Sequence, residues 1–209
     1  MIEILIVDDH AIFRSGVSRL LSDEPDLRVT GEAKNGREAI ELLRSHQYQA
    51  ILLDINMEGR SGLEGLERIK AEWPNQAVLM LSMYPEEQFA TQALRAGAYG
   101  YLSKDTDAPE LVRAIRTVAS GGRYISPNAL GGLFLNIQDA GTQPPHQQLS
   151  AREMQIMLLI VQGVSLTEIG ERMFLSVKTI GTYRTRILAK LGLENNANLV
   201  RYALSHGLS

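Results

Sequence analysis

The chain has 209 residues, 44% of them hydrophobic, with a net charge of −3. That length suits one large or two small domains with ordinary cores. No apolar run approaches a membrane span, and the absence of cysteine excludes disulfides and thiolate metal sites. The charge is uneven: residues 146–209 carry seven basic and four acidic side chains, and residues 1–145 carry 14 and 20. An acidic front and a mildly basic back point to two modules with different partners. The N-terminus, Met1-Ile2-Glu3-Ile4, enters a strand pattern at once with no basic region. No signal peptide and no membrane partner are expected, and a cytoplasmic location fits the missing cysteines.

In chain order, residues 2–7 read as a strand stopped by Asp8 and Asp9. Ile12, Phe13, Val17, Leu20 and Leu21 recur at helical spacing over 10–22. Residues 27–34 alternate as a strand, and 36–44 form a short helix. The run Ala50-Ile51-Leu52-Leu53-Asp54 is apolar until its final carboxylate, the pattern of a strand buried on both faces of a parallel sheet. Ser61 caps a helix through Leu63, Leu66 and Ile69 that ends before Pro74. Strand 77–81, helix 86–95, strand 98–102 and helix 107–119 follow, and Gly121-Gly122 closes the series. Five βα units in about 120 residues predict an α/β fold with a doubly wound, five-stranded parallel sheet. Parallel strands then place Asp8 and Asp9, Asp54, Ser82 and Lys104 on one edge, where open α/β sheets bind and react.

Residues 127–137 are compatible with a short connecting helix, and 139–148 read as a linker. The remainder is helical. Ser150 with Glu153 and Ser165 with Glu168 match the capping box, Ser176 opens a third helix, and 196–205 form a fourth. Gly163 and Gly192 act as stops. Four short helices in roughly 60 residues, with a break at Phe174-Leu175-Ser176, suggest a small all-α helix-turn-helix domain. The expected division is 1–120, a connecting segment 121–148, and 149–209.

Three carboxylates on one edge repel one another, and a cation is the usual resolution. Oxygen donors without thiolate or clustered imidazole favour a hard ion such as Mg²⁺. Lys104 and Ser82 can hold phosphoryl oxygens. An Asp nucleophile beside a metal and a Lys suits formation of an aspartyl phosphate. Taken singly, Asp8 or Ser82 would be an ordinary cap or turn residue; the set at matched strand ends is far less common.

The motifs Val7-Asp8-Asp9-His10, Leu53-Asp54-Ile55-Asn56-Met57, Leu81-Ser82 and Tyr101-Leu102-Ser103-Lys104-Asp105 make residues 1–120 resemble the receiver domain of two-component response regulators. The resemblance implies the flavodoxin-like sheet order 2-1-3-4-5. It implies phosphorylation of Asp54 by a cognate sensor histidine kinase. Mg²⁺ would be held by Asp9 and Asp54, by Asp8 through water, and by the Asn56 carbonyl. Ser82 and Tyr101 would form the switch pair, and Lys104 the phosphate contact. Where the family usually has Pro after Met57, this chain has Glu58, which predicts altered metal affinity or phosphate lifetime.

In the third C-terminal helix, 177–191, Val177, Ile180, Ile187, Leu188 and Leu191 mark a core face. Lys178, Gly181, Thr182, Thr185 and Ala189 line the opposite face, flanked by Tyr183, Arg184 and Arg186. Small and polar residues bordered by cations suit a helix entering the major groove, although a solvated amphipathic helix has the same period. Lys178, Arg184 and Arg186 would position the helix on phosphates, and Thr182 and Thr185 would touch base edges. The segments Leu149-Ser150-Ala151-Arg152-Glu153, Gly163 to Ile169, Leu175 to Ile180 and Lys190-Leu191-Gly192 resemble the LuxR-type helix-turn-helix. Receiver plus this domain is similar to the NarL/FixJ class. The segment from Lys178 through Thr179 to Arg186 is especially similar to regulators of the GacA/UvrY kind, apart from Gly181. The resemblance implies a homodimer on promoter DNA, with Leu199, Tyr202 and Ala203 as candidate contacts; simple packing of that helix is the alternative.

The reading is a phosphorylation-dependent transcriptional regulator with no enzymatic turnover beyond self-dephosphorylation. One rival is a phosphohydrolase using Asp54, disfavoured because Asn56 stands where a general acid is wanted. Another is a DNA-binding protein with a vestigial receiver, disfavoured by the intact Asp8, Asp9, Asp54 and Lys104.

Overall fold

The computed structural model describes residues 1–57, 62–83, 86–126 and 144–208. Contacts divide the chain into two compact units, Met1–Leu135 and Asn136–Ser209.

In the first unit, strands and helices alternate: β1 (Ile2–Val7), α1 (Ala11–Leu21), β2 (Leu27–Ala33), α2 (Gly36–Ser45), β3 (Ala50–Asp54), α3 (Gly62–Glu72), β4 (Val78–Ser82), α4 (Glu86–Arg95), β5 (Gly100–Ser103) and α5 (Ala108–Ala119). All pairings are parallel and the order is β2-β1-β3-β4-β5, as expected. Every residue of β3 and β4 is buried, which is why both read as continuous apolar runs. The edge strand β2 alternates instead, with its ends buried. Ile4, Leu52, Leu79 and Leu102 pack from the sheet against Val17, Leu111 and Ile115 of α1 and α5.

Helix starts follow their caps. Asn35 accepts from the amides of Arg37 and Glu38, and Asp107 accepts from Glu110 ahead of Pro109. The fifth strand begins at Gly100, two residues later than the pattern suggested. The chain is still leaving α4 there: Gly97 is left-handed (φ 96°) and the Ala98 amide returns to the Ala93 carbonyl. Ser61, read as the cap of α3, lies outside the described residues, as do Glu58 and the stretch 127–137.

Among the described residues the second unit begins with a 3-10 turn, Pro145–Gln148, within the stretch expected as an irregular linker. Its geometry is held by the Tyr202 hydroxyl, which accepts from the His146 amide and lies 2.9 Å from His146 Nδ1. Four helices follow: α6 (Ala151–Val161), α7 (Leu166–Arg172), α8 (Val177–Leu191) and α9 (Asn196–Ser205). Ser150 and Glu153 form a complete capping box. At α7 only half of the expected box is made: Ser165 accepts from the Glu168 amide, but the Glu168 carboxylate pairs with Arg172 at 2.6 Å. The Gly163 and Gly192 stops are both left-handed (φ 80° and 67°).

Candidate functional site

Register builds the first site. Val7 lies beside Leu53 and Asp54 beside Leu81, so Asp8 and Asp54 emerge on the same sheet edge. Ser82 pairs with Ser103, so Lys104 follows on that edge. The Lys104 Nζ donates to Asp8 Oδ2 at 2.6 Å and lies 2.9 Å from Asp54 Oδ2, with all three side chains buried. The Phe13 ring lies 4.5 Å from the same ammonium. The Asn56 amide donates to Asp54 Oδ1 at 3.0 Å. Burial pushes the Asp54 carboxyl above its ordinary range; Lys104 opposes this and the Asp8 charge adds to it.

Glycine is required at position 62. Its amide donates to the Ile55 carbonyl, and a Cβ there would overlap the Asp54 carbonyl oxygen. The start of α3 is thus held directly against the end of β3.

Ser82 is fully buried at the end of β4, with Tyr101 buried on the neighbouring β5. Asp9 is partly exposed and Asn56 half-buried just beyond their strands. Ligand atoms of Asp8, Asp9, His10 and Asp54 all lie within 4.8 Å of one another. A donor set of three carboxylates around a buried, charge-crowded Asp54 fits a hard divalent cation.

Two residues at this edge were not singled out from the sequence. His10 reaches across Asp8 and Asp9, with Nδ1 at 3.2 Å and 2.7 Å from their oxygens. Arg14 is buried and donates to the Asp8 carbonyl at 2.7 Å, while its Nε donates to Glu32 at 3.2 Å. A cation one helical turn into α1 was the available signal, since it falls on the face that meets the strand end.

The second site is helix α8. Ile180, Ile187, Leu188 and Leu191 are buried, whereas Val177 is 45% exposed, against expectation. Val177 is the first residue of the helix and precedes the turn that packs. Lys178, Thr182, Thr185, Arg186 and Ala189 form an exposed strip with half-buried Gly181. The Thr182 and Thr185 hydroxyls donate back to the Lys178 and Gly181 carbonyls. Thr179 is half-buried and engaged by the Ser176 cap through both its amide and its hydroxyl. Arg184 Nε donates to Asn196 Oδ1 at 2.6 Å, tying α8 to the start of α9. Tyr183 is half-buried.

The turn before α8 is tightly held. A Cβ at Gly170 would come within 2.7 Å of the Leu175 carbonyl, and the buried Arg152 donates to the Met173 carbonyl at 3.0 Å. Phe174 adopts a left-handed conformation (φ 53°) at this turn and is 63% exposed. On α9, Leu199 and Ala203 are fully buried within the unit and Tyr202 is half-buried, the packing alternative for that helix.

Each of the two units matches a known protein family. The response regulator receiver domain family matches residues 4–116, and the bacterial regulatory proteins of the luxR family match residues 147–203. The chain is 38% identical over 209 residues to the response regulator UvrY of Escherichia coli, covering 100% of this chain and 96% of that one. It is 38% identical over 208 residues to the response regulator GacA of Pseudomonas protegens, covering 100% and 98%. A crystal structure of a LuxR-family two-component response regulator from an Aurantimonas species is 32% identical, with a TM-score of 0.63 over 66% of this chain and 99% of that one. RcsB from Salmonella enterica serovar Typhimurium bound to promoter rprA shares the fold, at 24% identity and a TM-score of 0.64 over 98% and 100%. Both families lie in one chain that matches full-length regulators from end to end: the chain is a member of the two-component response regulators that join a receiver domain to a LuxR-type DNA-binding domain.

Proposed function

We propose that Asp54 is the phosphoacceptor of a switch that governs promoter binding. The observation that carries this reading is the convergence of Lys104 on Asp54 and Asp8 at 2.9 and 2.6 Å. These residues come from three different strand ends and form a buried cation–carboxylate cluster.

An Asp54 oxygen attacks the phosphorus of a phosphohistidine on a sensor kinase. The P–N bond breaks, and the imidazole leaves and takes a proton from solvent. The Asn56 amide orients the acceptor carboxylate by its hydrogen bond to Oδ1. Lys104 favours the anionic form of that carboxylate against its burial and receives a phosphoryl oxygen. Mg²⁺, held by Asp8, Asp9, Asp54 and the Asn56 carbonyl, would offset the charge developing on the phosphoryl oxygens. The Ser82 hydroxyl lies on the next strand as a further phosphoryl contact, and Tyr101 follows it as the second switch residue.

The receiver is assigned to 1–120, the connecting segment to 121–148, and the DNA-binding domain to 149–209. Lys178 and Arg186 contact phosphates, and Thr182 and Thr185 face base edges. Thr179, Tyr183 and Arg184 support the helix at its borders. The active form binds promoter DNA as a homodimer with half-sites about one helical turn, or a multiple of it, apart. No helix among the described residues is long and apolar enough to cross a membrane.

Intact mass after incubation with Mg²⁺ and a small phosphodonor tests the acceptor. A single base-labile phosphoryl adduct on the wild type, absent from Asp54→Asn and without metal, is the expected result. An adduct of equal yield on Asp54→Asn would overturn the assignment. Promoter binding by the two proteins, with and without donor, tests the switch.

A further inference from the structure

His10 is the group on the carboxylate edge for which the proposed reaction has no use. It occupies the N-cap of α1, with φ −83° and ψ 103°, yet its side chain makes no capping bond. Short polar residues normally hold that position because they bond the free amides of the first turn. The His10 ring leans the other way, across the acidic pair. Its Nδ1 is 2.7 Å from Asp9 Oδ1 and 3.2 Å from Asp8 Oδ1. The His10 amide donates to the same Asp8 oxygen at 2.8 Å, and the other Asp8 oxygen accepts from Lys104. Ionised carboxylates only accept, so Nδ1 carries the proton in this arrangement. The ring itself is 66% exposed, so these contacts rather than core packing define its role.

We infer that His10 is a positioning residue for the divalent cation. Its Nδ1–H donates to Asp8 Oδ1 while the same nitrogen lies 2.7 Å from Asp9 Oδ1, so the ring holds the two carboxylates side by side at the Asp54 side of the cluster. Carboxylates that ligate metals are commonly held by such outer donors, whose loss weakens metal affinity 10–100-fold. This inference rests on the phosphoacceptor reading of the cluster. It is tested through Mg²⁺ affinity rather than phosphorylation, so that each can fail on its own.

Mg²⁺ is titrated calorimetrically into the full-length wild type and into His10→Ala, His10→Asn and His10→Ser. Asn keeps an N–H donor at the same number of bonds from Cα as Nδ1. Ser caps α1 but is too short to reach Asp9. The expected result is about tenfold weaker Mg²⁺ binding for Ala and Ser, with most of the affinity restored in Asn. The thermal midpoint of the Ser variant should at least equal that of the wild type, separating helix capping from metal positioning. Wild-type affinity in His10→Ala, or equal recovery by Ser and Asn, would overturn the inference. Asp9→Asn is the control on the underlying reading: Mg²⁺ affinity unchanged in that variant would remove the metal site, and the role of His10 with it.

Discussion

Lys104 Nζ stands 2.9 Å from Asp54 Oδ2 in a pocket that leaves both side chains buried. Its second partner, Asp8 Oδ2, is 2.6 Å away. A single ammonium therefore answers two buried carboxylates. Replacing Lys104 with Ala leaves two uncompensated charges, and breaking a buried pair this way costs about 3 kcal/mol. Urea denaturation at neutral pH should show that loss, and added Mg²⁺ should recover part of it by supplying a substitute cation. A Lys104→Ala protein as stable as the wild type without metal would contradict this account of the cluster.

Asp54→Asn should act in the opposite direction. Burial, with the Asp8 charge, raises the Asp54 pKa in the fold despite Lys104. The unfolded chain then releases this proton at lower pH than the folded one, so ionising Asp54 lowers stability as pH rises through the folded value. The neutral isostere avoids that cost. Its thermal midpoint in metal-free buffer at neutral pH should exceed that of the wild type, while Mg²⁺ should raise only the wild-type midpoint.

In the second unit, burial pushes His146 down to about 4, assisted by His206, whose ring centroid lies 5.4 Å away. The unfolded chain takes up this proton near its ordinary value and the fold does so only near the lowered one. The contribution is complete above the ordinary imidazole range and is lost as pH falls toward the folded value. Since His146 is only partly buried, the full effect is about 2 kcal/mol after allowance for solvent screening. Denaturation across that window should slope less steeply for His146→Gln than for the wild type.

Gly170→Ala tests the turn before α8. The added methyl meets the Leu175 carbonyl at 2.7 Å, a backbone atom that cannot rotate away. A loss of about 2 kcal/mol is expected, within the range for overpacking a fixed contact. DNA affinity should fall along with stability, because Ser176 and the start of α8 must shift to relieve the contact.

The cations of α8 divide into two kinds. Lys178 and Arg186 are exposed, whereas Arg184 is held by Asn196 at 2.6 Å. Lys178→Ala or Arg186→Ala should weaken binding to all sequences alike and reduce the salt slope by about one, without changing the melting midpoint. Arg184→Ala should lower the midpoint, since it releases the start of α9. A melting loss for Lys178→Ala equal to that for Arg184→Ala would refute the division.

The order of elements was legible from the chain because each strand and cap announces itself locally. Asp54 closes a run buried on both faces, Ser150, Ser165 and Ser176 cap helix starts, and Gly163 and Gly192 take the left-handed stops. Parallel pairing then brings Asp8, Asp54, Ser82 and Lys104 to one edge, since their strands all run the same way. What the pattern did not contain was the direction and reach of individual side chains. His10 turns from the cap position of α1 toward two carboxylates, Arg14 donates to the Asp8 carbonyl, and Arg184, expected at a phosphate, donates to Asn196. Val177 has a core residue's chemistry but stands in the first turn, beyond the packed surface, while Leu199 and Ala203 are covered by their own domain. Periodicity depends on backbone repeat alone, whereas these outcomes depend on which neighbour, distant in sequence, packing carries within a few ångströms.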